Sequence, residues 1–292
     1  MTNRQSREAE QEKNMEKKAG RPPQKTRRRS VIIPAVLLVI FIVSLGNLLR
    51  QLWIYRQAES EYQALDEYME AVPEETVRET QIQTDEEALP EETNTVYYPN
   101  LQIDYDALAA VNAEFVGVIY IPVLDIKYPM AQTADNSKYL YTTFEGTRNS
   151  SGCIFLDTSA SSDFSDRNTY VFGHNMKNGT MFGSLKQFLK DETLCDQDPY
   201  IYIYQKDQVL VYRIFAYYTI PVQDDVYDDF TGDEGYDAYV NDAKAHSVYR
   251  PAEEEHMSID WNSRPNLLTL STCYATGHVK NFVVQAALVG KA

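Results

Sequence analysis

A long, uncharged and mainly apolar run lies near the N-terminus. Residues 31–49 (VIIPAVLLVIFIVSLGNLL) contain no charged side chain. At a rise of about 1.5 Å per residue, a helix of this length just spans the ~30 Å hydrocarbon core of a bilayer. Trp53 and Tyr55 follow, where aromatic rings favour the headgroup layer. The pattern therefore predicts a single transmembrane helix over residues 31–49.

The charged residues before this run predict its direction. Residues 1–30 contain ten Lys/Arg and four Glu, and Arg27–Arg29 stand directly before the apolar run. Because such positive charge is held on the cytoplasmic side, we expect residues 1–30 to form a basic cytoplasmic tail and residues 50–292 to lie outside the cell. The alternative is a cleaved signal peptide, for which residues 44–46 (SLG) are only a poor cleavage site.

Residues 50–100 predict a connection between the span and a folded domain. A helical stalk is predicted over residues 50–72, because apolar residues recur among charged ones at steps of three, four and seven: Leu52, Tyr55, Tyr62, Leu65 and Met69. Residues 73–100 are rich in Glu, Thr, Gln and Pro. Such a composition buries too little apolar surface to offset the entropy of ordering, so this stretch is predicted to be an acidic disordered linker.

The pattern over residues 101–292 predicts a mainly β domain. It opens with a helix from Tyr105 to Phe115, with Asp104 as its N-cap. Two helical insertions, 181–189 and 236–248, interrupt a series of strands. Eight runs rich in β-branched and aromatic residues are bounded by Gly, Pro, Asp or Asn: 117–121, 126–130, 153–156, 169–172, 200–204, 209–220, 267–272 and 282–289. Eight such strands favour a closed barrel.

Composition supports a packed domain and restricts its partners. Hydrophobic residues make up 43% of the 292 residues and aromatic ones 12%, which is enough for a core. Residues 1–30 carry +6 of the formal net charge of −16, so the remainder carries −22. Phosphate binding needs clustered Lys and Arg, so we expect no nucleic-acid partner.

The three cysteines differ in their surroundings. They cannot all pair, so at least one free thiol is expected. Cys273 ends an apolar strand and precedes the loop Tyr-Ala-Thr-Gly, which combines exposure with rigid support, as a nucleophilic thiolate requires. Cys153, within Gly-Cys-Ile-Phe-Leu, and Cys195, beside Leu194, have the surroundings of packing residues.

His174 is the best candidate for an acid–base partner of this cysteine. It stands in the segment VFGHN, where a buried strand runs into a polar loop. His246 and His256 lie among charged residues and are interpreted as surface histidines. His278 is closer to Cys273 in sequence and remains the alternative base.

The two candidate motifs together resemble the sortases, and in their details class B. The GHN motif at 173–175 and the LTLSTC motif at 268–273 lie about a hundred residues apart, and each ends a predicted strand. The likeness covers about 101–292 and includes four further segments that fall where that family has them: 135–140 (DNSKYL), 152–157 (GCIFLD), 178–185 (NGTMFGSL) and the helix near 236–248. The resemblance implies a closed eight-stranded sortase-type barrel behind an N-terminal membrane anchor.

The resemblance also implies an activity. The family cleaves a sorting peptide, here of the Asn-Pro-x-Thr type, near the C-terminus of a surface protein. Cys273 would attack the Thr carbonyl to form a thioacyl enzyme, and His174 would protonate the leaving amine and later deprotonate the incoming one. The acceptor would be a peptidoglycan precursor or a pilin lysine, at the surface of a Gram-positive cell. The implied chemistry requires no metal and no other cofactor.

One position departs from the family pattern. The family has an Arg at the start of the last strand to stabilise the oxyanion, whereas Asn281, preceded by Lys280, stands here, and no Arg follows Arg264. Loss of such a donor typically costs about 2.7–4 kcal/mol. Three explanations remain open: Lys280 supplies the cation, Asn281 acts unaided, or turnover is low. Because neighbouring strand residues alternate sides, we expect Lys280 to face away.

Substrate contacts and competing functions complete the predictions. Asn175, Ser271, Thr272 and Lys280 are predicted to bind the peptide, because they flank the candidate reacting residues. One rival function is another extracellular cysteine hydrolase of papain type, although there the cysteine usually opens a helix and precedes the histidine. The other is a weakly active or non-catalytic binding domain, for which Asn281 is the argument.

Overall fold

The computed structural model describes residues 25–71, 98–222, 226, 230–251, 259–273 and 279–292. It contains two compact units, which divide between Trp53 and Ile54. Most of the predicted basic tail and of the predicted linker lies outside the described residues, as do His256 and His278.

Helix α1 (Lys25–Leu65) contains the predicted membrane span. Within the described part of the chain, one helical segment, Ile32–Tyr68, is long and apolar enough to cross a membrane, judged by length and composition. Its large apolar side chains between Ile32 and Leu49 are exposed, in contrast to those of the folded unit. This agrees with a segment whose apolar surface is not covered by the protein itself.

The predicted stalk, residues 50–72, differs from expectation, because all but its first four residues belong to the folded unit. That unit begins at Ile54, not near Leu101. Side chains at alternating steps of three and four share one face of the helix and its extension, and they are buried or partly buried against the core: Tyr55, Ala58, Tyr62, Leu65 and Met69. Strand β1 (Met69–Ala71) then pairs with β2 (Leu101–Ile103) in a small antiparallel sheet.

Helix α2 (Tyr105–Val111) follows β2, and its start confirms the predicted cap. The Asp104 carboxylate accepts a hydrogen bond from the Ala107 backbone N–H at 2.8 Å, which satisfies one of the first-turn donors. The helix is shorter than predicted. Phe115, expected at its end, is the first residue of strand β3 (Phe115–Ile121), because Asn112 has already taken an extended conformation.

The eight predicted strands form a closed barrel, which confirms the predicted fold class. The strands are β3 (Phe115–Ile121), β4 (Ile126–Ala131), β5 (Ile154–Leu156), β6 (Asn168–Phe172), β7 (Tyr200–Gln205), β8 (Gln208–Pro221), β9 (Leu267–Cys273) and β10 (Lys280–Lys291). The order around the barrel is β10-β8-β7-β3-β4-β5-β6-β9, and β9 closes it by pairing with β10. The pairs β4–β5 and β6–β9 are parallel and the others antiparallel.

Both predicted helical insertions are present. The first is a 3-10 helix at Phe182–Leu189, which buries Phe182, Leu185 and Phe188. The short helix α3 (Thr193–Gln197) follows it. The second is α4 (Gly232–His246), which begins four residues earlier than predicted and packs on β8 through a separate apolar cluster.

Candidate active site

The register of three neighbouring strands brings the predicted reacting positions to one edge of the barrel. In the antiparallel pair β9–β10, Cys273 is directly opposite Asn281. On its other side β9 runs parallel to β6, with Phe172 opposite Ser271. Cys273 and His174 each lie two residues beyond that last pair. Because parallel strands end at the same edge of a sheet, the backbone places position 273 between positions 174 and 281.

The backbone holds the start of the histidine loop against β9. The Gly173 N–H donates to the Ser271 carbonyl at 3.2 Å, which continues the parallel ladder one residue past β6. The Phe182 N–H then donates to the His174 carbonyl at 3.0 Å, and Asn175 pairs with Met181 in an isolated bridge. The residues flanking the ring are therefore fixed by main-chain hydrogen bonds on both sides.

The His174 ring is half-buried and has a defined orientation. Its Nε2 lies 2.6 Å from the Leu140 carbonyl oxygen. A carbonyl can only accept, so Nε2 carries the proton in this contact and Nδ1 is the ring nitrogen left for proton exchange. Gly152 lies close to the same edge of the ring, because a Cβ added there would be 2.9 Å from His174 Cδ2, the carbon bonded to Nε2.

Asn281 and Lys280 have different surroundings. Lys280 is exposed and lies opposite Pro221, whereas Asn281 is half-buried and lies opposite both Cys273 and Ile220. This agrees with the alternation of sides along a strand. Of the two residues, it is Asn281 that the register places beside position 273.

The other predicted substrate-binding residues are close to this edge but differ in accessibility. Ser271 and Thr272 are each only 3% exposed, so little of either side chain is available to a bound peptide. Asn175 is half-buried in the loop after His174. Within the described residues, no group of three or more His, Cys, Asp or Glu side chains is placed to hold a metal ion.

Cys153 and Cys195 are packing residues, as predicted. Both are fully buried. Burial raises the pKa of the Cys195 thiol to about 12 and raises that of Cys153 still further above its usual range. Neither thiol therefore forms a thiolate at neutral pH, the species that a nucleophile requires.

The groups that support His174 were not predicted from the sequence. The Leu140 carbonyl and Gly152 belong to a loop that precedes β5, and Tyr62 donates its hydroxyl proton to the Gly152 carbonyl at 2.7 Å. The regular spacing of Tyr55, Tyr62 and Met69 is the signal that could have identified a buried helix face. A backbone carbonyl, in contrast, has no signature in the residue sequence.

Comparisons with known proteins identify the family of this fold. A sortase-domain family model matches residues 119–289. Sortase B of Listeria monocytogenes is 28% identical over 192 residues, which is 63% of this chain and 73% of the relative. The crystal structure of Clostridium perfringens sortase B has 29% identity and a TM-score of 0.57, over 63% of this chain and 99% of that one. A Staphylococcus aureus sortase B–substrate complex has 25% identity and a TM-score of 0.56, over 63% and 83%.

Proposed function

Because the chain belongs to the sortase family, as a class B cysteine transpeptidase, we propose that it cleaves an Asn-Pro-x-Thr sorting peptide through Cys273 and His174. The cleaved surface protein would then be joined to an amine of a cell-wall precursor or of a pilin. The observation that carries the proposal is the β6–β9–β10 register, in which positions 174, 273 and 281 share one edge.

The proposed reaction has two steps. The Cys273 thiolate attacks the Thr carbonyl carbon, the peptide C–N bond breaks, and the imidazolium of His174 gives its proton to the leaving amine. An incoming amine then attacks the thioacyl carbon and loses a proton to His174, and the C–S bond breaks to restore the thiolate. The hydrogen bond from Nε2 to the Leu140 carbonyl supports Nδ1 as the nitrogen that exchanges these protons.

We further propose that α1 anchors the enzyme with its N-terminus in the cytoplasm and the barrel outside. The length and hydropathy of Ile32–Tyr68 support a span, and the four basic residues within 25–29 support this direction. In this arrangement the thiol meets sorting peptides of exported proteins on the outer face of the membrane.

Product analysis with a primary amine present tests the function. We expect the full-length chain to convert an Asn-Pro-x-Thr peptide into an amine adduct that mass spectrometry identifies, and to leave a peptide with the motif order reversed intact. Exclusive hydrolysis at saturating amine would instead favour a cysteine hydrolase. Absence of any covalent adduct between Cys273 and a thiol-reactive peptide analogue would favour a non-catalytic binding domain.

Asn281→Arg is expected to raise kcat/KM for peptide transfer by about 10- to 100-fold. The Asn281 amide can donate a hydrogen bond to the oxyanion but lacks the charge and planar fork of a guanidinium. The substitution should therefore regain a substantial part of the ~2.7–4 kcal/mol of transition-state stabilisation that one oxyanion donor typically supplies. Steady-state kinetics with the peptide and a saturating amine measures the change.

Two variants separate the explanations for Asn281. Asn262→Arg adds the same charge at an exposed position before β9 and is expected to leave kcat/KM unchanged. Lys280→Gln is expected to have little effect, because Lys280 is exposed. A large loss in Lys280→Gln, with no gain in Asn281→Arg, would show that Lys280 supplies the cation.

A further inference from the structure

The loop at residues 140–152, here called the support loop, forms one wall of the His174 site. Its first residue provides the Leu140 carbonyl that accepts from Nε2 of the ring at 2.6 Å. Its last residue, Gly152, has a φ of +59° and approaches so closely that a Cβ would lie 2.9 Å from His174 Cδ2 and 2.3 Å from the Tyr139 carbonyl oxygen. The orientation of the ring therefore depends on the positions of both ends of this loop.

The second half of α1 holds the support loop by four hydrogen bonds. The Tyr62 hydroxyl donates to the Gly152 carbonyl at 2.7 Å and accepts from the Phe144 N–H at 3.3 Å. The Glu61 carboxylate accepts from the Glu145 N–H at 3.1 Å, and the Asn149 side chain donates to the Ile54 carbonyl at 3.0 Å. Tyr62 and Glu61 are both at most 8% exposed, so water does not readily replace these contacts.

Tyr62 connects α1 to the wall of the His174 site. Its hydroxyl donates to the carbonyl of Gly152, and Gly152 lies so close to the ring that a Cβ would not fit between them. Burial raises the pKa of Tyr62 well above its usual range, so its hydroxyl keeps the proton that it donates. The ring of Tyr62 is also fixed, because it packs edge-on against Tyr128 with centroids 5.3 Å apart.

We propose that Tyr62 is a positioning residue for His174, through which the part of α1 that belongs to the folded unit sets the orientation of the imidazole. The inference rests on the proposed role of His174 in proton transfer. A displaced ring weakens proton transfer in both steps of the reaction, because small errors in the geometry of reacting groups cost large factors in rate. Peptide binding does not require the ring orientation, so the effect should fall on kcat.

Tyr62→Phe in the full-length chain tests this role. We expect kcat for peptide transfer to fall about tenfold while KM changes less than about twofold. The ring ¹⁵N chemical shifts of His174 should also change, because loss of the Gly152 contact loosens the hydrogen bond to Leu140.

Tyr236→Phe is the matched control. The Tyr236 hydroxyl donates to the Pro265 carbonyl at 2.8 Å from a side chain that is 1% exposed, so the substitution removes a hydrogen bond of the same kind. Pro265 precedes β9 at the opposite end of that strand from Cys273. We expect a similar decrease in thermal stability but a kcat within about twofold of the parent and unchanged His174 shifts.

The outcomes separate this inference from the proposed function. If His174→Ala is inactive but Tyr62→Phe matches Tyr236→Phe in kcat and in the His174 shifts, the positioning role is wrong and the function stands. If His174→Ala remains active, the proposed function is wrong. Should Tyr62→Phe fail to fold, Glu61→Ala, which removes the acceptor of the Glu145 N–H, must reduce kcat without raising KM, and a parental kcat would overturn the inference.

Discussion

Replacing Cys273 by alanine is expected to abolish peptide transfer, with kcat/KM falling on the order of 10⁴-fold or more. Without a sulfur at position 273 there is no thioacyl intermediate, and neither of the other two thiols can substitute. Both are buried, and burial keeps them protonated. Removal of a covalent nucleophile typically leaves only the weak catalysis that binding and oxyanion stabilisation supply. The measurement is formation of the amine adduct over a long incubation.

Cys195→Ala is the matched control for this loss. It removes a thiol from the folded unit but should leave transfer within about twofold of the parent, since Cys195 lies in α3 and not at the β9 edge. A thiol-reactive peptide analogue should add to the parent and to Cys195→Ala, and not to Cys273→Ala. Persistent transfer by Cys273→Ala would place the nucleophile elsewhere and remove the basis for the proposed mechanism.

The barrel could be predicted because the signal for each strand is local. Runs such as 209–220 and 282–289 are rich in β-branched and aromatic residues and end at turn residues, so their positions were right to within a few residues. The helix end at Phe115 was wrong, because a short amphipathic stretch with one more aromatic residue fits either a helix or the start of a strand.

The start of the folded unit could not be predicted, because it depends on a long-range contact. Tyr62 and Leu65 look like the apolar face of a stalk until the surface that buries them is known. The same limit applies to the site. His174 and Cys273 each follow or end a predicted strand, which suggested that these two residues meet. The contact with the Leu140 carbonyl and the close approach of Gly152 depend on the path of a loop, which the sequence does not predict.

His174→Ala is expected to lower kcat for peptide transfer by about 10²- to 10⁴-fold, the usual contribution of a positioned acid–base group. Both proposed steps lose their proton carrier, so formation of the acyl enzyme and its reaction with the amine should slow together. Rapid-quench measurement of the acyl enzyme, followed by addition of the amine, separates the two rates. A mainly structural histidine would lower both only as far as the fold is destabilised.

Two other histidines provide the comparison. His246 is exposed on α4, and its Nδ1 lies 3.0 Å from Asp242 Oδ2 on the same helix. His246→Ala should therefore leave both rates unchanged. His278 lies outside the described residues and remains the alternative base, and His278→Ala is expected to retain transfer. The opposite pattern, an inactive His278→Ala and an active His174→Ala, would mean that the acid–base group comes from the loop after β9. The hydrogen bond between His174 and Leu140 would then be structural, because the ring it orients would exchange no proton with the substrate.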